Sequence, residues 1–519
     1  MARKWWTLLT VSVGTFMLLL DITVVNTALP SIQKDLGASF TDVQWVIDAY
    51  TLSLAALVLT AGSLADRVGR RAVFAAGLGI FALASLAAGL APDATFLNVA
   101  RAVQGIGGAA MFAVSLALVA QEFPAGRERA TAMGIYGATI GVSVAVGPLI
   151  GGAITSGLGW RWVFFVNVPV GAAAIALTFA RIRESRDPNA TRVDWPGVAT
   201  FSTALVMLVL ALVRGNDNGW GSPLIVGLLS GAAVMLAAFV AIERRVPEPM
   251  LPLGLFRRGA FTGVQLAAVA VSASLFALFL YLTLYLQNYL GYSPLQAGLR
   301  YLPITIAPFV VAPLAVALMA RLPARVVMAI GLAGVGAGLL LMAGLSADSS
   351  WTALLPGFIV AGIGVGLLNP VIADVAVSVV SKDRSGMAAG INDTFRQVAI
   401  AVGVAAWGAV FLARGADKIS TVAAGTPAAT GDHPRQLIEA ASSGHLASAL
   451  ANVPQAAHGL VTSAAHQGFL SGLNTILMIG GFLALVGAVV AAWLVREDEI
   501  EREQPDLIAA GALAEAVGR

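Results

Sequence analysis

Fourteen apolar stretches, each long enough to cross a lipid bilayer, follow one another along this 519-residue chain. About 20 such residues span the hydrocarbon core as a helix, since a helix rises 1.5 Å per residue and satisfies its own backbone. The stretches fall at 6–30, 43–65, 72–90, 95–122, 130–156, 162–181 and 195–213. They continue at 223–242, 260–289, 299–319, 326–346, 352–378, 386–412 and 470–494. The expected fold class is an all-α polytopic membrane protein whose main environment is the lipid bilayer. The first stretch, MARKWWTLLTVSVGTFMLLL, has the basic start of a signal peptide. Its apolar run continues through Asp21 to Pro30 without a small-residue cleavage site, so it reads as the first span.

An even number of spans places both termini on one side of the membrane. Loops on that side carry Arg67, Arg70, Arg71, Arg181, Arg183, Arg186, Arg244, Arg245, Arg257 and Arg258, whereas the opposite loops hold few basic residues. The positive-inside rule therefore puts both termini in the cytoplasm. Arg far outnumbers Lys, as in GC-rich bacteria, and the expected location is a bacterial inner membrane. Residues 183–194, RESRDPNATRVD, form a charged link after the sixth span. They suggest a division into 1–182, a link with two extra spans at 183–258, and 259–495, followed by a cytoplasmic tail at 496–519. Residues 413–469 read as a long outer loop, with a possible helix in RQLIEAASSGHLASALANV lying over the outer mouth.

Several function classes fall away on composition. The chain is 58% hydrophobic and 11% charged, with a mean hydropathy of +0.84. Its net charge of +3 resides in short loops, which argues against nucleic acid as a partner. There is no cysteine, hence no disulfide and no Cys-based zinc or iron–sulfur site. The histidines at 433, 445, 458 and 466 lack metal-ligand spacing and read as a solvated loop, so no metal is expected. Glycine runs such as Gly362 to Gly366 lie mid-span, where small residues let helices pack closely. No G-x-x-x-x-G-K-[ST] segment suggests ATP drive, and no nucleophile–base constellation suggests an enzyme.

Charged residues inside the spans carry the chemistry. A carboxylate within the bilayer costs about 2.5–3.5 kcal/mol on insertion scales and is a functional-site hypothesis by default. From the expected span ends, Asp21 lies about 13 Å deep, Asp48 about 8 Å and Arg101 about 9 Å. The two acids and the guanidinium are tolerable if they face a common cavity and hydrogen-bond one another. On this reading Asp21 is the chief proton carrier, Arg101 tunes it, and Asp48 is a second acid or cation contact. A helix-packing hydrogen bond is the plainer role for Asp21. Asp393, Arg396 and Gln397 share a helix face, as a local ion pair or with Asp393 as a second-half acid for substrate or proton. Tyr281 and Tyr285 are candidate linings for a site that takes apolar cations, together with Asn369. Tyr289 is assigned to the interface.

One loop carries a recognisable pattern. GSLADRVGRR, Gly62 to Arg71, has two glycines suited to close approach and a tight turn. Asp66 is placed to meet a helix N-terminus or an arginine in one conformation only. Gly62, Asp66, Arg67, Gly69 and Arg70 are thus read as a conformational gate. This segment resembles the loop signature of the major facilitator superfamily between spans two and three. RAVQGIGGAA around Arg101 resembles the family's fourth-helix motif, and GPLIGG, with Gly147 and Pro148, its antiporter motif in the fifth helix. Ser143 stands where a glycine is common in that motif. LDITVVNTALP, WVIDAY, WRWVFFVNVP, GYSPLQAGLRYLP and GINDTFRQVAIAVG resemble the fourteen-helix drug:proton antiporter branch. The equivalent second-half loop, ALMARLPARVV, lacks the glycine and aspartate of the signature.

The resemblance implies the major facilitator fold: two six-helix bundles, with spans seven and eight as an extra pair. It also implies proton-coupled antiport that exports amphipathic, often cationic drugs or metabolites by alternating access. The proton gradient then stands in place of a cofactor, and the chain acts as a monomer. A dedicated exporter of one antibiotic or metabolite, a proton-coupled uptake symporter and a non-transporting receptor remain alternatives.

Overall fold

The computed structural model describes residues 2–123, 127–186, 193–247, 249–380, 385–424, 433–450 and 453–500. Among these residues every regular element is helical, and 14 helices are long and apolar enough to cross a membrane. The first six are α1 (Arg3–Leu36), α2 (Phe40–Val68), α3 (Arg70–Gly89), α4 (Ala94–Glu122), α5 (Thr131–Gly157) and α6 (Arg161–Arg181). Next come α7 (Trp195–Asn218), α8 (Pro223–Glu243), α9 (Gly259–Tyr289) and α10 (Pro294–Met319). The last are α11 (Ala324–Met342), α12 (Trp351–Ser378), α13 (Gly386–Val422) and α14 (His458–Leu494). With an even count the start of α1 and the end of α14 lie on one face, the terminal face; the other is the far face.

Local chemistry sets the tight turns. Gly37 takes a left-handed conformation (φ 59°) that ends α1, and two residues later a capping box between Ser39 and Asp42 starts α2. Ser293 and Gln296 form the same device at the start of α10, where Pro294 occupies the first helical turn.

Two boundaries depart from the sequence expectation. Helix α13 continues to Val422 and α14 begins at His458, so much of the expected outer loop 413–469 is helical extension. Between them lies a cap helix, His433–Ser442, followed by a short turn of helix at Leu446–Leu450. The sequence hides these extensions because Arg414, Asp417 and Lys418 interrupt the apolar run once the helix leaves the hydrocarbon. The cap helix is amphipathic and buries Leu437 and Ile438. Ile438 packs where a Cβ on Gly415 of α13 would stand, 2.5 Å away. Arg435 pairs with Asp217 and Glu439, and Asn288 of α9 donates to the Ser442 carbonyl at 2.6 Å. Burial pushes the Glu439 carboxyl up, while Arg435 pulls it back. Residues 425–432, 451–452 and the tail beyond 500 lie outside the described residues.

In the first half α1 packs on α4 and α5, α2 on α4, and α3 on α4 and α6. In the second α11 packs on α12 and α14, α10 on α12, and α9 on α13 and α14. Helix α7 touches both α2 and α13, and α8 lies on α7. Leu52, Leu205, Val209, Ala401 and Ala405 form one buried cluster at that seam. Apolar residues also crowd the outside: Leu83, Val310 and Trp493 are at least 69% exposed, as a lipid-facing surface requires. The glycine run after Ile359 does pack helices, since a Cβ on Gly364 would lie 2.6 Å from the Gly331 carbonyl of α11.

Candidate functional site

The first half closes around a charged centre. Asp21 of α1 and Arg101 of α4 are each 2% exposed and form an ion pair. Gln104, one turn from Arg101, donates to Asp21 Oδ1 at 2.9 Å, and Asn167 of α6 donates to the same oxygen at 3.0 Å. Gln104 Oε1 accepts from Arg101 at 2.7 Å, and the Val46 carbonyl of α2 accepts from Arg101 Nε at 3.0 Å. Ser85 of α3 accepts from Gln104 at 2.8 Å. The guanidinium lies 4.2 Å from the ring centroid of Tyr50, a cation–π contact. Desolvation of the pair is thus offset by hydrogen bonds on both partners, the condition under which buried charge persists. Each hydrogen-bond partner of the Asp21 carboxylate among the described residues is a donor.

Sequence reasoning paired Asp21 with Arg101 but missed Ser85, Gln104, Asn167 and Tyr50. The available signal was polarity within apolar runs. Gln104 follows Arg101 at i+3, and Asn167 sits in the quoted WRWVFFVNVP segment.

Asp48 does not join this centre. It is fully buried, and neither carboxylate oxygen has a hydrogen-bond partner among the described residues. Tyr50 faces Arg101, and two residues along a helix of 3.6 residues per turn turn the side chain about 200° away. Asp48 therefore faces the seam with the second half. On the same strip, Gln44 donates to the Val404 carbonyl of α13 at 3.0 Å and to the Tyr281 hydroxyl at 3.2 Å. Tyr281 also donates to that carbonyl, at 2.6 Å. A Cβ on Gly408 would stand 2.0 Å from Gln44 Nε2, so the glycine makes room for this latch.

The expected aromatic lining is packed rather than open. Tyr281 is buried between Phe40 and Phe411. Tyr285 donates to the Ser349 carbonyl at 3.3 Å and stacks on Tyr289, with centroids 5.3 Å apart. Tyr289 is half-buried and stacks in turn on Phe469 of the extended α14, an arrangement the sequence placed in a loop. A π-turn at Tyr285–Tyr289 shifts these rings from simple helical register.

In the second half Arg396 reaches across to α12, donating to Asn369 Oδ1 at 2.8 Å. No contact-distance ion pair joins it to Asp393 among the described residues, though the two charges lie within electrostatic reach of one another. Asp393 is also within electrostatic reach of Tyr136 on α5. The Thr15 hydroxyl stands 3.3 Å from Ser115 Oγ and 3.5 Å from the Tyr136 hydroxyl. Asp393 is thus placed between Arg396 of its own half and Tyr136 of the other, and Thr15, Ser115 and Tyr136 went unread in the sequence.

Asp66, in the last turn of α2, meets an arginine at a helix N-terminus: Arg70, the first residue of α3, donates from Nε to Oδ1 at 2.9 Å, and Arg67 is exposed. Gly62 has open space, the nearest atom to a Cβ being Ala113 Cβ at 4.0 Å, so it mediates no close approach here. Gly69 does take a conformation (φ 129°) that favours glycine, and its missing Cβ admits Glu184. Glu184 accepts from the backbone of Arg71 at 3.0 Å and of Ala72 at 3.2 Å, capping α3 from the link after α6. Glu184→Ala should lose about 0.5–2 kcal/mol of local stability. Faster amide exchange at Arg71 and Ala72 would register it; unchanged exchange would show that water replaces the cap.

The GPLIGG segment contacts both halves. Cβ atoms on Gly147 and Gly151 would collide with Thr23 and Thr27 of α1. A Cβ on Gly152 would lie 2.4 Å from the Pro294 carbonyl of α10, and one on Gly298 of α10 would lie 2.3 Å from the Pro148 carbonyl. The Leu295 amide donates to Ser156 Oγ at 3.0 Å, and Gln287 donates to the Thr27 carbonyl at 2.8 Å. These bonds, with the Gln44 latch, tie the halves together toward the far face.

Fourteen apolar helices enclosing a sealed charged centre define a multi-pass membrane protein whose interior chemistry is polar and ionic. The family model of the Major Facilitator Superfamily matches residues 11–404, and the chain belongs to that family of transporters. The puromycin resistance protein of Streptomyces alboniger is 41% identical over 78% of this chain and 81% of its own length. The tetracenomycin C resistance and export protein of Streptomyces glaucescens is 34% identical over 96% of this chain and 93% of its own. The multidrug resistance protein Stp of Mycobacterium tuberculosis is 38% identical over 78% of this chain and 76% of its own. A bacterial homolog of the human lysosomal transporter Spinster, in an inward-facing and unoccupied conformation, shares the fold. Its TM-score is 0.62 at 16% identity, covering 97% of this chain and 99% of that one.

Proposed function

We propose that the protein exports amphipathic, often cationic small molecules in exchange for protons by alternating access. The observation that carries this reading is the sealed Asp21–Arg101 centre, in a chain whose relatives are named for drug resistance and export. A membrane protein retains buried ionisable groups mainly where they serve a pathway. Asp21, Arg101 and Asp48 are the proton-coupling groups on this proposal. Asp393, within electrostatic reach of Tyr136, and Asn369, held by Arg396, are the substrate-facing ones. The basic loops put both termini in the cytoplasm. The contacts at Gly152, Gly298, Gln44 and Gln287 then close the outer mouth, and their release opens it. Residues 1–182 and 259–495 act as the two rocking bundles, in a monomer that needs no cofactor beyond the gradient.

The test is ethidium uptake by inside-out vesicles with an acid interior. Uptake should depend on the gradient, stop with a protonophore, and fall to the level of empty vesicles in Asp21→Asn. Gradient-driven uptake that survives this substitution would remove Asp21 from the coupling. A narrower reading has its own support, because several relatives are named for one compound: puromycin, tetracenomycin C and methylenomycin A. A vesicle that moves one such antibiotic and none of several cationic dyes would favour it.

A further inference from the structure

The two buried acids of the first half differ in which moving parts surround them. Asp21 is enclosed by Arg101, Gln104 and Asn167, all within the first half. Rigid rocking of one half against the other leaves those contacts intact. A proton on Asp21 would weaken these contacts, since its hydrogen-bond partners among the described residues all donate to the ionised carboxylate.

Asp48 stands at the seam. Between it and the far face lie Gln44, one turn earlier on α2, and Phe40, which stacks on Phe411 of α13 with centroids 5.7 Å apart. Both tie to the second half, through Val404, Tyr281 and Phe411. Separation of the halves at this face would break these contacts together and admit water to Asp48. In the closed form its oxygens have no donor among the described residues. A bare carboxylate without hydrogen bonds is the most costly state for such a site, whereas the neutral acid carries no charge to desolvate.

The ionisable groups around it are few. Arg101 on α4 and Asp21 on α1 neutralise one another, and Tyr281 approaches from α9. Helices α7 and α13 carry no charged residue at 195–213 or 397–413, and the arginines that begin α3 lie at the terminal face.

We infer that Asp48 is the residue that exchanges the transported proton with the far-face medium, gated by the Gln44–Tyr281–Val404 latch, while Asp21 stays bound to Arg101 as a fixed charge. This rests on the proposed proton-coupled export and divides its labour between the two acids. The proton binds Asp48 when the latch is open, is sealed in as the latch closes, and leaves when the site next meets water.

The experiment uses the full chain in two readouts. The first compares native protein and Asp48→Asn in inside-out vesicles, for ethidium accumulation under an acid-interior gradient and for ethidium exchange at equal pH. Asp48→Asn should lose gradient-driven accumulation to the protonophore background, and the exchange measured at equal pH should lose its dependence on that pH. Asp48→Glu should restore part of the accumulation. The second treats native protein with dicyclohexylcarbodiimide, which modifies protonated carboxyls in apolar surroundings, and locates the adduct by mass spectrometry. This readout does not depend on any variant folding. An adduct on Asp48 and none on Asp21 is expected. An adduct on Asp21 alone, or gradient-driven accumulation that persists in Asp48→Asn, overturns the assignment while proton-coupled export stands. Native protein that accumulates ethidium with no dependence on the gradient overturns both.

Discussion

Arg101→Ala should destabilise the folded chain by about 3–5 kcal/mol, the cost of leaving one member of a buried ion pair without its partner. The substitution strips Asp21 of its counter-charge and leaves a cavity beside Tyr50, while Gln104 Oε1 and the Val46 carbonyl each lose a donor. Arg101→Lys should recover only part of the loss. An ammonium is a compact point charge and cannot reach the carboxylate, the Gln104 amide and the Val46 carbonyl as the planar guanidinium does. The measurement is reversible unfolding of the purified protein in mixed micelles, with Asp21→Asn alongside. That variant leaves the Arg101 guanidinium as the uncompensated charge instead, so it should also cost about 3–5 kcal/mol, at the lower end because the amide oxygen still accepts from Arg101 and no side-chain cavity opens. A change below about 1 kcal/mol for Arg101→Ala would mean that water enters the centre and solvates it.

The second large effect is expected at the contact between α5 and α10. Gly152→Val places new atoms against the Pro294 carbonyl and the Leu295 Cα, both backbone. Backbone cannot rotate aside as a side chain can, so the overpacking should cost the closed form about 1–3 kcal/mol. Opening relieves the clash. The balance between closed and open far faces should shift tenfold for each roughly 1.4 kcal/mol. The chain has no native cysteine, so Ser156→Cys gives a single reporter at this contact. Its reaction with a water-soluble maleimide should speed up when Gly152→Val is added. An unchanged rate would show that α5 and α10 do not separate in the working cycle.

How much of this was legible beforehand follows from the kind of interaction involved. The fourteen spans were readable because a bilayer demands an unbroken apolar run of fixed length. The loop and GPLIGG segments were readable as patterns, though their contacts were not. Asp66 turned out to bind its own Arg70, and the N-terminus of α3 is held by Glu184, more than a hundred residues away. No local pattern announces such a partner. The ends of the region 413–469 were misread because helices α13 and α14 continue past the hydrocarbon, where polar residues no longer disfavour them, whereas the helix expected within it is present at His433–Ser442.

Depth along a helix is one-dimensional and can be counted, so Asp21, Asp48 and Arg101 were placed at similar levels from residue numbers alone. Direction around the helix axis is also periodic, but which neighbour occupies that direction is not. Residue order thus determined the membrane environment, the span count and the presence of buried charge. Only the tertiary structure decided that Arg101 belongs to Asp21 while Asp48 lies at the seam with no hydrogen-bond partner among the described residues, because pairing depends on which faces of non-adjacent helices are brought together.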